Sequence, residues 1–287
     1  YWFKATFILL TLALIYLGTA KLEDAFRNVI GIKALTEKNY INLDINSLLI
    51  SAVFSIITFC LLSPLILGMA EWYWNLTSGT KPEIGHVFGW YGSGRLFGKS
   101  LLLRINVGVR QAFWGILCFA LPGALTIAAQ YFIKDINLNA KSFTAAEIQN
   151  ISYGGLLMMA GLFFFAGGMF LYIFATSKYI LANYLVVEDT TVKTTKAVQN
   201  SIRISKGYRW ELTKFVLSYA GWALGFFAAV FFSTVSGLVI GSVMMLLTAA
   251  MVLYVIPYYY SALTLFVKHI IFASRQLEEQ PKTETDL

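Results

Sequence analysis

Long stretches of this chain carry no charged residue, and they alternate with short polar and basic segments. The uncharged runs cover residues 5–20 (16 residues), 45–70 (26), 111–133 (23), 148–177 (30) and 215–267 (53). A helix that crosses a bilayer needs about 20 apolar residues at about 1.5 Å each, so each of the first four runs predicts one span. Tyr1, Trp2 and Phe3 lengthen the first, and the lysines at its two ends can snorkel. The fifth run is too long for one helix, and Ser233-Thr234-Val235-Ser236-Gly237 near its middle reads as a tight turn. The pattern predicts an all-α bundle of six transmembrane helices, over about 3–20, 45–70, 111–133, 148–177, 212–233 and 239–267. They form one domain, residues 1–275, followed by a polar tail, 276–287. No small-residue cleavage pattern leading into a soluble domain follows the first run, so it is read as an attached span rather than a signal peptide. The first residue is not Met, and further residues are expected upstream of Tyr1.

Charge distribution then sets the orientation. If loops alternate sides, one side collects 16 of the 22 Lys and Arg, among them Lys4, Arg95, Lys178, Lys214 and Lys268. On the other side Lys21, Arg27, Lys33, Lys38, Lys134 and Lys141 are balanced by Glu23, Asp24, Glu37, Asp44, Asp135 and Glu147, so the net +7 lies on the first. The positive-inside rule puts that side, with both termini, in the cytoplasm. Trp72, Tyr73, Trp74, Trp90, Tyr208, Trp210 and Tyr258 to Tyr260 fall near it and are expected to form an aromatic belt at headgroup level. Only 13% of residues are charged and 58% are hydrophobic, against about 25% charged in soluble domains. The high pI is thus explained by topology, and nucleic acid is not an expected partner.

The first cytoplasmic loop, about 75–100, is rich in glycine. With His86, Arg95 and Lys99 it has the makings of an anion cradle, but it lacks the Gly-Lys-Ser/Thr ending of a P-loop, and a solvated connector is the simpler reading. In the second, about 178–214, Thr190 or Thr191 is expected to cap a basic surface helix ending near Ser205, with Gly207 just beyond. Thr144-Ala145-Ala146-Glu147 reads as a capping box opening the fourth span. Spans one, three and five each open on an aromatic residue and a lysine, which either marks three repeated helical hairpins or follows from membrane anchoring alone.

Groups able to do chemistry are few. His86 and His269 are the only histidines, and neither a His-Glu-x-x-His run nor a Gly-x-Ser-x-Gly elbow occurs. Cys60 and Cys118 lie inside spans, where a lone cysteine is a packed hydrophobe. No catalytic, metal-binding or cofactor-binding residues are assigned. Glu71, Arg104 and Arg110 lie just outside the uncharged runs, where an ion pair from Glu71 to either arginine competes with simple snorkelling, of which snorkelling is preferred. Pro64, Pro122 and Pro257, and Gly154, Gly155, Gly161, Gly167 and Gly168 in span four, suit either broken-helix binding sites or kinks and close packing, of which packing is preferred. Gly221 with Gly225, and Gly237 with Gly241, make small faces on which spans five and six are expected to pack.

Several segments together resemble a bacterial integral-membrane family known as domain of unknown function 975. They are the opening Tyr1-Trp2-Phe3-Lys4-Ala5, Ser63-Pro64-Leu65-Ile66-Leu67-Gly68, Val87-Phe88-Gly89-Trp90 with Arg95-Leu96-Phe97-Gly98-Lys99, and Leu121-Pro122-Gly123. Tyr179-Ile180-Leu181, Lys196-Ala197, Lys206-Gly207-Tyr208-Arg209-Trp210 and Ser218-Tyr219-Ala220-Gly221-Trp222 complete the set. Between residues 125 and 168 the chain departs from that pattern by extra length, which implies longer or differently broken third and fourth spans. A more distant similarity is to membrane domains that accompany glycerophosphodiester phosphodiesterases. The resemblance implies a multi-pass protein of the bacterial plasma membrane and supplies no catalytic residues.

The function read from all this is a non-enzymatic membrane protein acting by contact, as a subunit or accessory factor of a membrane assembly or in envelope maintenance. A carrier for lipids or other hydrophobic, anionic molecules is the alternative, and a membrane-embedded enzyme ranks third. The expected contacts are anionic lipids on the cytoplasmic side, or another membrane protein, met by Lys193, Lys196, Arg203, Lys206 and Arg209 with Arg95 and Lys99.

Overall fold

A computed structural model describes residues 2–30, 45–134, 136, 142–235 and 238–279, and among these every regular element is helical. The order is α1 (Trp2–Ile30), α2 (Ile45–Thr77), a 3-10 turn (Ile84–Tyr91), α3 (Gly94–Ile133) and α4 (Ala145–Thr176). After a second 3-10 turn (Ser177–Tyr179) follow α5 (Ile180–Glu188), α6 (Thr194–Ser218), α7 (Ala220–Val235) and α8 (Leu238–Glu279). Five helical stretches are long and apolar enough to cross a membrane: Trp2–Val29, Ile45–Thr77, Gly94–Ile133, Ala145–Glu188 and Thr248–Gln276. The fifth expected span, 212–233, is not among those found in the described residues; the helix breaks at Tyr219, and α7 has 16 residues, about 24 Å of helix against a hydrocarbon core of about 30 Å.

Most surface of these helices stays outward, with Phe163, Met159, Ile116 and Ile127 each at least 70% exposed. The dense core lies at one end, where α2 finishes, α3 and α6 begin and α8 finishes. Leu67, Trp90, Leu103, Leu181, Val198, Leu212, Val267 and Ile270 meet there, joined by Trp72 and Tyr73 in an adjoining cluster. Trp72, Tyr73 and Trp90 are at most 1% exposed, so they fill this core and present no face to a surrounding lipid belt. Trp210 and Tyr258 are half-exposed or more, as a belt requires.

Both loops expected at this end prove structured. In the first, the buried Val87 comes so close to α2 that a methyl group at Gly68 would overlap its carbonyl. Gly79, with φ 84°, supplies the left-handed step that turns the chain out of α2. The second contains α5, whose Leu181, Ala182, Tyr184, Leu185 and Val186 are all buried, as a helix apolar on every side requires. The basic helix does not start behind Thr190 or Thr191. Asp189 Oδ1 accepts the Thr191 amide at 2.8 Å and its hydroxyl at 2.6 Å, which holds a turn and postpones the helix to Thr194. Nor does Gly207 end it; α6 continues to Ser218 because Leu212 and Thr213 bury their side chains in the core.

At the other end α1 continues through Ile30, ten residues past its uncharged run. The capping box that opens α4 is formed, with Glu147 accepting the Thr144 amide at 2.7 Å and donating its own amide to the Thr144 hydroxyl at 3.3 Å. The extra length between residues 125 and 168 is largely helix, added to α3 and α4. These two pack closely along Gly154, Gly161, Gly168 and Ala175, all buried and seven residues apart. A Cβ at Gly168 would stand 2.5 Å from the Cys118 carbonyl oxygen. Pro122, four residues on, has no N–H to offer that carbonyl, and the missing side chain of Gly168 lets α4 approach it closely. Gly155 and Gly167 meet nothing within 4 Å. Pro64, Pro122 and Pro257 all lie inside continuous helices. Gly221 is exposed and a Cβ there would meet nothing within 4 Å, so the expected close approach is absent at that residue. Gly237 and residues 280–287 of the expected tail lie outside the described residues, as does Gly241 beyond its place in α8.

Candidate functional site

The cations singled out in the sequence are distributed by the amphipathic turn of α6. Ala197, Val198, Ser201, Ser205 and Leu212 face the core, which leaves Lys193, Lys196, Arg203 and Lys206 outward, with Lys214 and Trp210 further along the same side. Arg95 is exposed in the first turn of α3. One turn later Lys99 donates to the Thr190 carbonyl at 2.6 Å, tying α3 to the turn before α6. Beside it the Asp189 carboxyl is held below the usual carboxylate range by the Thr191 hydroxyl and amide, with Lys99 adding to the effect.

Many polar groups at the packed end make internal ties, while Trp72 Nε1 and Tyr73 Oη are buried there without a hydrogen-bond partner among the described residues. Trp90 Nε1 donates to Glu71 Oε2 at 2.6 Å, so Glu71 is held by an indole, and the candidate ion pair with Arg104 or Arg110 is not formed. Arg110 donates from Nε to Asn106 in its own helix, 3.1 Å away. His86 Nδ1 accepts the Glu83 amide at 3.2 Å, closing the 3-10 turn. Tyr184 and Thr264 share a hydrogen bond of 3.1 Å, Ser201 donates to the Lys178 carbonyl at 2.6 Å, and Arg275 makes a bidentate pair with Glu188 at 2.9 and 2.6 Å. Among the described residues no three His, Cys, Asp or Glu side chains come together as a metal site would require.

Two of the clefts among the described residues lie against apolar faces of the helices. The larger, about 720 Å³, runs between α3 and α4 beside the glycine contact, walled by Trp114, Leu117, Leu121, Phe163 and Leu171. Lys178 and Arg209 line it too, and no carboxylate does. Lys178 Nζ lies 5.0 Å from the centre of the Trp114 ring and 5.1 Å from that of Tyr179, and the Arg209 guanidinium lies 5.4 Å from that of Phe174. Arg209 Nε is buried with no hydrogen-bond partner among the described residues, a state that costs about 1–3 kcal/mol or more for a charged group. Lys178 was assigned in the sequence only to the count of inward charges. Its use here depends on the 3-10 turn after α4, which pattern alone does not reveal.

The smaller cleft, about 370 Å³, follows α1 and α2 and is lined by Tyr16, Thr19, Glu23, Ser55, Thr58 and Arg104 among others. Near its Glu23 end lies a buried charged cluster that the uncharged runs hide. Arg27, 5% exposed, donates to Glu23 Oε1 from Nη2 at 2.7 Å and to the Ser47 carbonyl at 3.2 Å, and also binds the hydroxyls of Ser47 and Ser51. The four-residue spacings from Glu23 to Arg27 and from Ser47 to Ser51 are the signals that could have revealed it.

No curated protein and no solved structure matches this chain. No match supports the more distant similarity to membrane domains accompanying glycerophosphodiester phosphodiesterases. A family model described as protein of unknown function (DUF975) covers residues 2–274, the whole of the helical bundle but its last turns, and the chain belongs to that family.

Proposed function

We propose that this chain is a six-span protein of a bacterial plasma membrane, with both ends cytoplasmic, that acts by contact with an anionic membrane surface and not by catalysis. The observation that carries this reading is the outward face of α6, where Lys196, Arg203, Lys206 and Lys214 accompany the half-exposed Trp210 on the side opposite the core. Glu211 is the one acidic residue within α6. Each such cation near an anionic leaflet contributes about 1 kcal/mol, and the indole suits headgroup depth. A non-catalytic role is supported by the internal ties of Glu71, Lys99, Glu188 and His86, which give the packed end a fixed shape. Six crossings are supported by α8, whose Val267, Ile270 and Ile271 join the same core as Leu212 of α6. Its first turn then lies toward the opposite end, and α7 with the last turns of α6 bridges the distance. On this topology α1 with α2, α3 with α4, and α7 with α8 form three hairpins.

The test is a charge-reversed K196E/R203E/K206E variant, produced in membranes and purified with its bound lipid. It should insert normally, because Arg95, Lys99, Arg104 and Lys178 keep the same side positive, while sedimentation with vesicles containing phosphatidylglycerol falls at least tenfold. Normal insertion with unchanged vesicle binding sinks the reading and leaves these residues as a topology signal.

A further inference from the structure

Resting on the reading that α3 and α4 lie in a bilayer, we propose that the cleft between them is a binding slot for a single anionic diacyl phospholipid. Its phosphate lies between Lys178 and Arg209, and its chains run along Leu117, Leu121, Phe163 and Leu171. Three observations converge on that occupant.

The first is the segregation of chemistry. Among the described residues Lys178 and Arg209 are the only charged ones that line the cleft, and most of the remaining lining is aromatic and aliphatic. Lys178 ends the uncharged run of α4 and Arg209 lies on α6, so the cations belong at the level where that span leaves the apolar layer. This is the polarity of an amphiphile: one charged end, the rest hydrocarbon. A neutral hydrophobic guest would give two cations nothing to bind.

The second is the unpartnered, buried Nε of Arg209. Its guanidinium lies 5.4 Å from the centre of the Phe174 ring, which accepts no in-plane hydrogen bond, so Nε is left without an acceptor among the described residues. A phosphodiester supplies acceptor oxygens in the geometry that a guanidinium fork matches. Lys178, held over Trp114 and Tyr179, adds a second positive charge without a carboxylate of its own in the cleft.

The third is the wall beside the glycine stripe. Gly168 is needed for contact with α3, but the adjacent Gly167 is exposed and a Cβ there would meet nothing within 4 Å. Gly167 lines the cleft, and its missing side chain keeps the slot open without serving the α3–α4 contact.

Native mass spectrometry of the purified protein tests the slot with three probes at equal concentration: phosphatidylglycerol, phosphatidylcholine with the same chains, and glycerol phosphate without chains. Phosphatidylglycerol should be retained as one bound molecule, phosphatidylcholine more weakly, and glycerol phosphate not at all. K178A and R209Q should each lower phosphatidylglycerol retention about fivefold, and together about 25-fold. G167L should fill the slot and abolish retention while leaving thermal unfolding unchanged. Equal retention of the two lipids, retention of glycerol phosphate alone, or wild-type retention in G167L and in K178A/R209Q overturns the proposal. A changed oligomeric state in G167L with unchanged lipid would do so as well, since the cleft would then be covered by a second copy. The K196E/R203E/K206E variant should keep its bound lipid, so loss of vesicle binding there with no effect of the slot variants defeats the slot alone.

Discussion

Lys268 of α8 reaches the last turns of α2, where its ammonium donates to the Trp74 carbonyl at 2.6 Å, binds the Ser78 hydroxyl and lies 4.7 Å from the centre of the Trp74 ring. A lysine that the sequence marks as one of the cytoplasmic-side cations, ending a long apolar run, therefore closes the bundle between residues 194 positions apart. It is 8% exposed, so its charge is compensated by these contacts and not by water.

Lys268→Met keeps the stem and removes the charge. A hydrogen bond to a charged group contributes about 1.5–3 kcal/mol, and the variant should lose about that much stability when unfolding is followed in detergent. Because Ser78 also donates its amide to the Trp74 carbonyl at 3.1 Å, that carbonyl is not orphaned, which favours the lower half of the range. A variant as stable as the parent would mean that Lys268 is an anchor and nothing more.

Glycine substitutions should separate contact from composition in α4. Gly168→Ala forces a methyl against the Cys118 backbone and should cost about 1–3 kcal/mol, as overpacking does. Gly155→Ala enters open space and should change stability by less than about 0.5 kcal/mol. Equal losses at the two sites would show that α3 and α4 do not meet along this stripe.

The glycines also mark how far the sequence reading could go. Five glycines in span four suggested packing, but only the seven-residue spacing picks Gly154, Gly161 and Gly168 from their neighbours, and that spacing has no meaning until α3 is known to be the partner. Helices bounded by charges were legible because lipid imposes a length, and the Thr144–Glu147 box was legible because capping is local. By contrast α5 was lost because Lys178 closed an uncharged run just before the apolar stretch from Tyr179 to Val187. The partner of Glu71 is hidden for a similar reason. Its donor, Trp90, lies 19 residues away in a segment whose glycines suggested a solvated connector. The cleft ending in Lys178 and Arg209 joins residues of three helices, and no local pattern connects them.

Thiol labelling checks the proposed topology. With Cys60 and Cys118 replaced by Ala, a cysteine at Gln149 should react with a membrane-impermeant reagent in intact cells, and one at Gln199 only after permeabilisation. Gln276→Cys decides between five and six crossings: six keep it protected with Gln199, whereas five would expose it. All three side chains are exposed in the folded chain, so burial in the protein does not confound the result.

The cluster around Arg27 gives the prediction with the clearest energetic signature. Arg27 is buried, within a helix long and apolar enough to cross a membrane, and Glu23 is its only ionised partner among the described residues. Ser51 donates to the same Glu23 oxygen at 2.8 Å, so carboxylate, guanidinium and two serines act as one unit. Removing one partner of a buried pair leaves an uncompensated charge and costs about 3–5 kcal/mol, whereas replacing both with apolar groups is often close to neutral. Glu23→Leu should therefore be the most damaging single change, because it strands Arg27. Arg27→Leu should cost less, since the Glu23 side chain is 24% exposed and can turn to water. The double variant Glu23→Leu/Arg27→Leu should be more stable than Glu23→Leu alone, with a coupling of about 1–3 kcal/mol in a double-mutant cycle. Additive losses, with the double variant the least stable of the three, would show that the two charges are solvated independently and that the cluster does not hold α1 against α2.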